Sequence, residues 1–217
     1  MPVQVIVGAQ WGDEGKGKIV DYLAGRSRMV IRFQGGPNAG HTIVNDFGEF
    51  KLHSVPSGIF QPEVDCIIGA GTVLSPPQFF QETEELKSAG VSLDRLMISE
   101  RTHLIMPWHP VIEEVQEESL GVHQIGTTRK AIGPAYADRY GRWGICVGEL
   151  RYRDWLRNRI GDILALKNRE LAAYGRTVYD PDDVMDLCGR WLEKLAPYIC
   201  DTVPVIGDAL DRDDAGR

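Results

Sequence analysis

Short apolar runs and stretches of helical spacing take turns along this chain. Val3-Gln4-Val5-Ile6-Val7 is rich in β-branched residues and predicts a buried strand. Ile19, Val20, Tyr22 and Leu23 then recur with helical spacing, so a strand, a glycine-rich loop and a helix open the chain. Residues 29–33 predict a second strand, and 43–45 with 50–54 predict a hairpin that turns at Asp46-Phe47-Gly48-Glu49. Residues 65–69 and 96–99 predict further short strands, with a helix over 77–89 between them. Residues 108–121 are amphipathic: Val111, Ile112, Val115 and Leu120 lie on one side, Glu113, Glu114, Glu117 and Glu118 largely opposite. That acidic run reads as a solvated helix face. Beyond Gly148 the spacing is helical over 153–174 and 181–198, with Pro181 suited to a first turn, and the polar tail 208–217 is expected to fray. The alternation points to an α/β fold: a P-loop-like open, mostly parallel sheet flanked by helices, with a small hairpin and a helical C-terminal segment. Neither an internal repeat nor an interdomain linker interrupts it.

Composition narrows the class. A chain of 217 residues, 43% hydrophobic and 25% charged, can bury a sizeable core as a single soluble domain. It lacks an apolar stretch long enough to span a bilayer, and a first strand so close to Met1 leaves no room for a cleaved leader; the expected location is cytoplasmic, with no membrane partner. A net charge of −7 argues against nucleic-acid binding but not against a small phosphorylated ligand, for which a few local cations suffice. Cys66, Cys146, Cys188 and Cys200 are scattered and read as reduced thiols. His103, His109 and His123 lack metal-ligand spacing and read as structural.

Three loops carry candidate chemistry. The first, Gly8-Ala9-Gln10-Trp11-Gly12-Asp13-Glu14-Gly15-Lys16-Gly17-Lys18, joins a strand to a helix N-terminus, where backbone N–H groups and the positive helix end favour phosphate. Gly12, Gly17 and Lys18 satisfy the start of a Walker A pattern, but Ile19 stands where a hydroxyl would meet Mg²⁺. Asp13 and Glu14 would repel a triphosphate unless one carboxylate holds Mg²⁺ or takes a substrate proton. The second loop, Gln34-Gly35-Gly36-Pro37-Asn38-Ala39-Gly40-His41-Thr42, follows a strand end, so both loops could face one crevice, with His41 as general acid or phosphate donor. The third, residues 125–136, sets Thr127, Thr128, Arg129 and Lys130 close together ahead of Arg139 and Arg142, a seat for a phosphomonoester or a basic surface loop. Gly69-Ala70-Gly71-Thr72 reads as a tight turn instead.

Together these loops resemble adenylosuccinate synthetases. The matching residues are residues 10–18, Gln34-Gly35-Gly36 with residues 38–42, and Gly126-Thr127-Thr128 with residues 132–136. The similarity runs from the first strand to Gly148 and continues more weakly through the helices. It implies a ligase that joins IMP to L-aspartate with GTP as co-substrate and one Mg²⁺ per subunit, in a homodimer. By motif position Asp13 would be the base at purine N1 and a Mg²⁺ ligand, and His41 would assist transfer of the γ-phosphoryl group to O6. Gly40 would offer Mg²⁺ its carbonyl. Residues Gly12, Asp13, Glu14, Gly15, Lys16, Gly17, Lys18, Gly40, His41 and Thr42 would bind GTP. Asp13, Glu14, Gly15, Lys16, Asn38, Ala39, Gly40, His41, Thr128 and Arg142 would bind IMP, Arg142 from the neighbouring subunit. Two departures stand out. Pro37 replaces a commonly polar residue and stiffens the loop. Family members are also close to twice as long, which makes the chain an N-terminal portion, residues 1–148 forming the nucleotide-site core and 149–217 a helical segment. The guanine and aspartate contacts would lie in the other half. The alternatives are an inactive module that retains phosphate binding or dimerisation, and a P-loop phosphotransferase, which Ile19 and the loop acids disfavour.

Overall fold

Four short strands realise the α/β pattern. In the computed structural model, which describes residues 3–9, 15–38 and 40–214, the main sheet comprises β1 (Met29–Arg32), β4 (Asp65–Ile68), β6 (Leu96–Ser99) and β8 (Ile199–Cys200). They pair in the order β1-β4-β6-β8, every pair parallel, with Met29 opposite Asp65 and Cys66 opposite Leu96. Parallel strands need crossovers. The path from β1 to β4 runs through the predicted hairpin, β2 (His41–Asn45) and β3 (Gly48–Leu52), and that from β4 to β6 through helix α2 (Pro76–Ser88). A smaller parallel pair, β5 (Val73–Leu74) and β7 (His103–Leu104), escaped the sequence reading because two residues carry no periodicity.

Helix α1 (Lys16–Ala24) packs on the hairpin and on the 3₁₀ turn Ser57–Phe60. Helices α3 (Trp108–Leu120) and α4 (Ile132–Tyr140) pack together, as do α5 (Arg153–Ala173) and α6 (Pro181–Leu195). The core is continuous from the hairpin to α6, and Phe79, Ile98, Trp108, Ile145 and Leu156 within it are almost wholly inaccessible. Asp180 caps α6 by accepting from the N–H groups of Asp182 and Asp183, and Pro181 occupies the first turn as expected. Cys66 and Cys188 are buried free thiols pushed up to about 12 by burial, which makes them inert packing groups.

Three expectations are corrected. The run 3–7 forms no strand: Val3, Val5 and Val7 are 71, 66 and 64% exposed. The tail does not fray at 208; helix α7 spans Thr202–Asp214, started by Asp201, whose carboxylate accepts from Val203 N–H at 3.1 Å, with Pro204 in its first turn. The acidic face of α3 is only half solvated, since Glu113 and Glu117 are 7 and 9% exposed.

Candidate functional site

Ligands of open parallel sheets gather beyond the carboxyl ends of the strands. Here β1 ends at Arg32 and β4 at Ile68, and the loops that follow are tied to each other. Gly35 bridges to Thr72, with Val73 N–H donating to Gly35 O at 3.0 Å. Tyr136 of α4 locks the pair: its hydroxyl accepts from Gly35 N–H at 2.8 Å and donates to Gly71 O at 2.8 Å, while Arg139 Nη1 donates to Ala70 O at 2.7 Å. The fit is tight enough that a Cβ on Gly71 would lie 2.0 Å from Phe33 O. Between the loops and α4 lies a cleft of about 390 Å³, lined by Phe33, Gln34, Gly35, Gly71, Tyr136 and Tyr140. Residues 69–72 form a tight turn, Thr72 N–H donating to Gly69 O at 3.0 Å, and Tyr136 is its clamp.

The first two glycine-rich loops meet. Helix α1 starts at Lys16 directly after Gly15, whose φ of 81° turns the chain into the helix. One residue on, His41 rests on Gly17: a Cβ there would fall 2.5 Å from the Cβ and 2.8 Å from the Cγ of His41. The imidazole at the head of β2 thus lies against the first turn of α1, the helix end that attracts anions. Lys16, Lys18 and Thr42 are exposed beside this contact, and His41 is half-buried.

The second and third loops also approach each other. Gly36 abuts Ile132, the first residue of α4, and Gly40 abuts Lys51 and His53. The His53 imidazole is held below its ordinary value, first by burial and then by the charges of Lys130 and Lys51, which outweigh a hydrogen bond with Pro37. Arg32, depressed by its own burial, donates to the carbonyls of His53 and Gly36, so a fixed guanidinium underlies the second loop. Behind the hairpin, the buried Glu82 carboxylate accepts the N–H groups of His53, Ser54 and Val55 at 2.9–3.2 Å. No sequence signal marked Glu82, because its partners are backbone groups some 28 residues away.

Of the sequence-derived site residues, Gly12, Asp13, Glu14 and Ala39 lie outside the described residues. Asn38 and Thr128 are exposed on the second and third loops. Arg142 stands apart, in a left-handed conformation (φ 64°) beyond the far end of α4, roughly 14 Å along the helix from Ile132 at 1.5 Å per residue. Among the described residues, no three His, Cys, Asp or Glu side chains form a metal-holding cluster. No described helix is long and apolar enough to cross a membrane.

Fold and site together define an open parallel α/β protein whose glycine-rich loops converge on a helix N-terminus at the strand ends. The adenylosuccinate synthetase family profile matches residues 5–215, and the chain belongs to that family. It is 47% identical to an adenylosuccinate synthetase of Dehalococcoides mccartyi over 98% of this chain and 51% of that protein, and 47% identical to one of Heliobacterium modesticaldum over 94% and 48%. Among solved structures, the fully ligated adenylosuccinate synthetase of Plasmodium falciparum superposes with a TM-score of 0.78 at 34% identity, covering 94% of this chain and 48% of that one. The chain spans about half the length of the curated relatives it matches.

Proposed function

We propose that this chain carries the phosphate-transfer and IMP-holding part of a GTP-dependent ligase that joins IMP to L-aspartate, giving adenylosuccinate, GDP and phosphate. The observation that supports it most is the seat of His41 on Gly17, which brings two otherwise separate loops to one helix N-terminus. A lactam carbon is a poor electrophile, and phosphorylating its oxygen makes a leaving group that an amine can displace. Asp13 takes the proton from purine N1, and the O6 oxyanion attacks the γ-phosphorus of GTP. His41 donates a hydrogen bond to the transferring group, and the backbone amides around residues 15–18 receive the phosphates. The amine of aspartate then displaces phosphate from C6. Asn38 and Thr128 hold IMP, and Arg142 reaches the IMP phosphate of a neighbouring subunit, a role that suits its place away from the other loops.

Mg²⁺ fits this sparse donor set. It binds through one or two protein oxygens plus substrate phosphates and keeps its waters, so a carboxylate at Asp13 and the Gly40 carbonyl suffice where the described residues form no dedicated cluster. When bound it neutralises charge on the phosphates.

The second reading is a module that binds nucleotide phosphate or dimerises without turnover. Calorimetry with GTP, Mg²⁺ and IMP, followed by an ultraviolet assay for adenylosuccinate, separates the two. Binding of both nucleotides with product formation supports the ligase; binding without product supports the module; binding of neither sinks both nucleotide readings.

A further inference from the structure

The buried acids of α3 point to a role of their own. Glu113 and Glu117 are four residues apart, hence one turn apart on one helix face. Glu117 accepts the N–H groups of Ile125 at 3.3 Å and Gly126 at 3.0 Å, and Glu113 accepts that of Ala131 at 2.7 Å. Residues 132–136, read as loop from the sequence, are the start of α4, so the two carboxylates grip both ends of what remains loop, residues 125–131, and leave residues 127–130 between them. Neither belongs to the ion pairs of the described residues, so these amides are what offsets burying two like charges side by side. The loop they hold is strained: Arg129 (φ 55°) and Ala131 (φ 58°) both occupy the left-handed region without being glycine, alongside Gly126 (φ 73°). Such a conformation persists only where its surroundings over-determine it. Ala131 also precedes α4 without a side-chain cap, and Glu113 supplies from α3 an acceptor for its N–H.

We infer that Glu113 and Glu117 are positioning residues that hold residues 126–130 in the one backbone conformation presenting Thr128 and Lys130 to the phosphorylated purine. This rests on the functional reading above. A loop held only by water would have to be ordered by the ligand at the ligand's expense. Two carboxylates whose bonds end on the loop's own amides remove that cost without touching the ligand.

The test uses the 217-residue chain, with E117L removing the acceptors and E117Q keeping one. Amide hydrogen exchange over residues 121–131 and calorimetry with IMP, and separately with GTP and Mg²⁺, are read for each. In E117L, exchange in that segment rises by about tenfold or more, IMP affinity falls by about tenfold, and GTP affinity changes by less than about twofold. E117Q falls between E117L and wild type, which a general folding defect would not produce. Faster exchange with unchanged IMP affinity makes the acids merely structural and overturns the inference, as does equal weakening of IMP and GTP. A wild-type chain that binds no IMP removes the functional reading and this inference with it. A wild-type chain that binds IMP no better than E117L removes the inference alone.

Discussion

Replacing Asp138 breaks a buried polar network that joins helices α3, α4 and α5. Asp138 lies on α4 with a side chain 6% exposed, and three groups converge on its carboxylate. Lys167 Nζ of α5 is 2.5 Å from Oδ1; His109 Nε2 of α3 is 2.9 Å and Trp108 Nε1 3.3 Å from Oδ2. His109 Nδ1 accepts the Met106 N–H at 2.9 Å, so Nε2 carries the proton and the imidazole is neutral; burial holds it below its ordinary value. Burial alone would raise the Asp138 carboxyl, but the hydrogen bonds from His109 and Lys167 outweigh it and hold it low. The ion pair is thus Asp138 with Lys167, whose side chain is only 10% exposed. Asp138→Asn keeps the shape but strands a buried ammonium, a loss of about 3–5 kcal/mol. At about 2–4 °C per kcal/mol for a domain of this size, Tm should fall by roughly 6–20 °C. Lys167→Met in the same background removes the stranded charge and should restore part of the loss. Urea titrations of wild type, both single variants and the double variant give the coupling. A loss below about 1 kcal/mol in Asp138→Asn, or a double variant as unstable as the sum of the singles, would refute the reasoning.

Two further tests address pH and the meeting of the loops. His103 is pushed down to about 4, mainly by burial and then by the Arg139 charge, and His109 is also depressed. His103 stays neutral in the folded chain down to about 4 while its unfolded counterpart protonates below about 6.5, so unfolding takes up a proton and stability falls with pH from about 6.5 toward 4, with His109 adding to the slope in the same direction; urea midpoints should show this slope, reduced in His103→Gln. Gly17→Ala places a methyl 2.5 Å from the His41 Cβ, so His41 must move, while alanine favours the helix by up to about 1 kcal/mol. The clash falls on the root of the His41 side chain, so α1 or β2 must shift at a cost of about 1–3 kcal/mol that outweighs the helix gain. Tm should fall slightly and GTP affinity by about tenfold, and unchanged affinity would mean that the seat of His41 does not matter to phosphate binding.

What the sequence disclosed was what its local patterns encode. Residues 96–99 are a strand and Pro181 opens a helix because alternation, burial and cap chemistry all act within a few residues. The meeting of the glycine-rich loops was legible because one opens a helix and the other follows a strand end; α1 packed on the hairpin brings them together, not a strand at residues 3–7. The residues that hold the site together were not legible. Glu82, Glu113 and Glu117 are spent on backbone amides of distant segments, and a carboxylate bound to amides looks in sequence like one bound to water. The tail was misread because Asp201 and Pro204, its start signals, precede the polar stretch that suggested fraying.

The failed strand at residues 3–7 has a different cause. Its composition favours a sheet, but β-propensity measures how side chains fit a pleated, half-buried surface, and a strand's amides need a ladder partner. The main sheet ends in β1 on one side and β8 on the other, and neither pairs with this run. Without a neighbour, Val3, Val5 and Val7 keep most of their surface in water and only Ile6 is half-covered. The first glycine-rich loop departs from this run at one end and enters α1 at the other. Among the described residues the α1 end is held through Gly17 against His41, whereas Val3, Val5 and Val7 at the other end stay mostly in water. Gly17 touches the second glycine-rich loop directly, which is why Gly17→Ala is a sharper probe of the site than a change at the exposed Val3, Val5 or Val7.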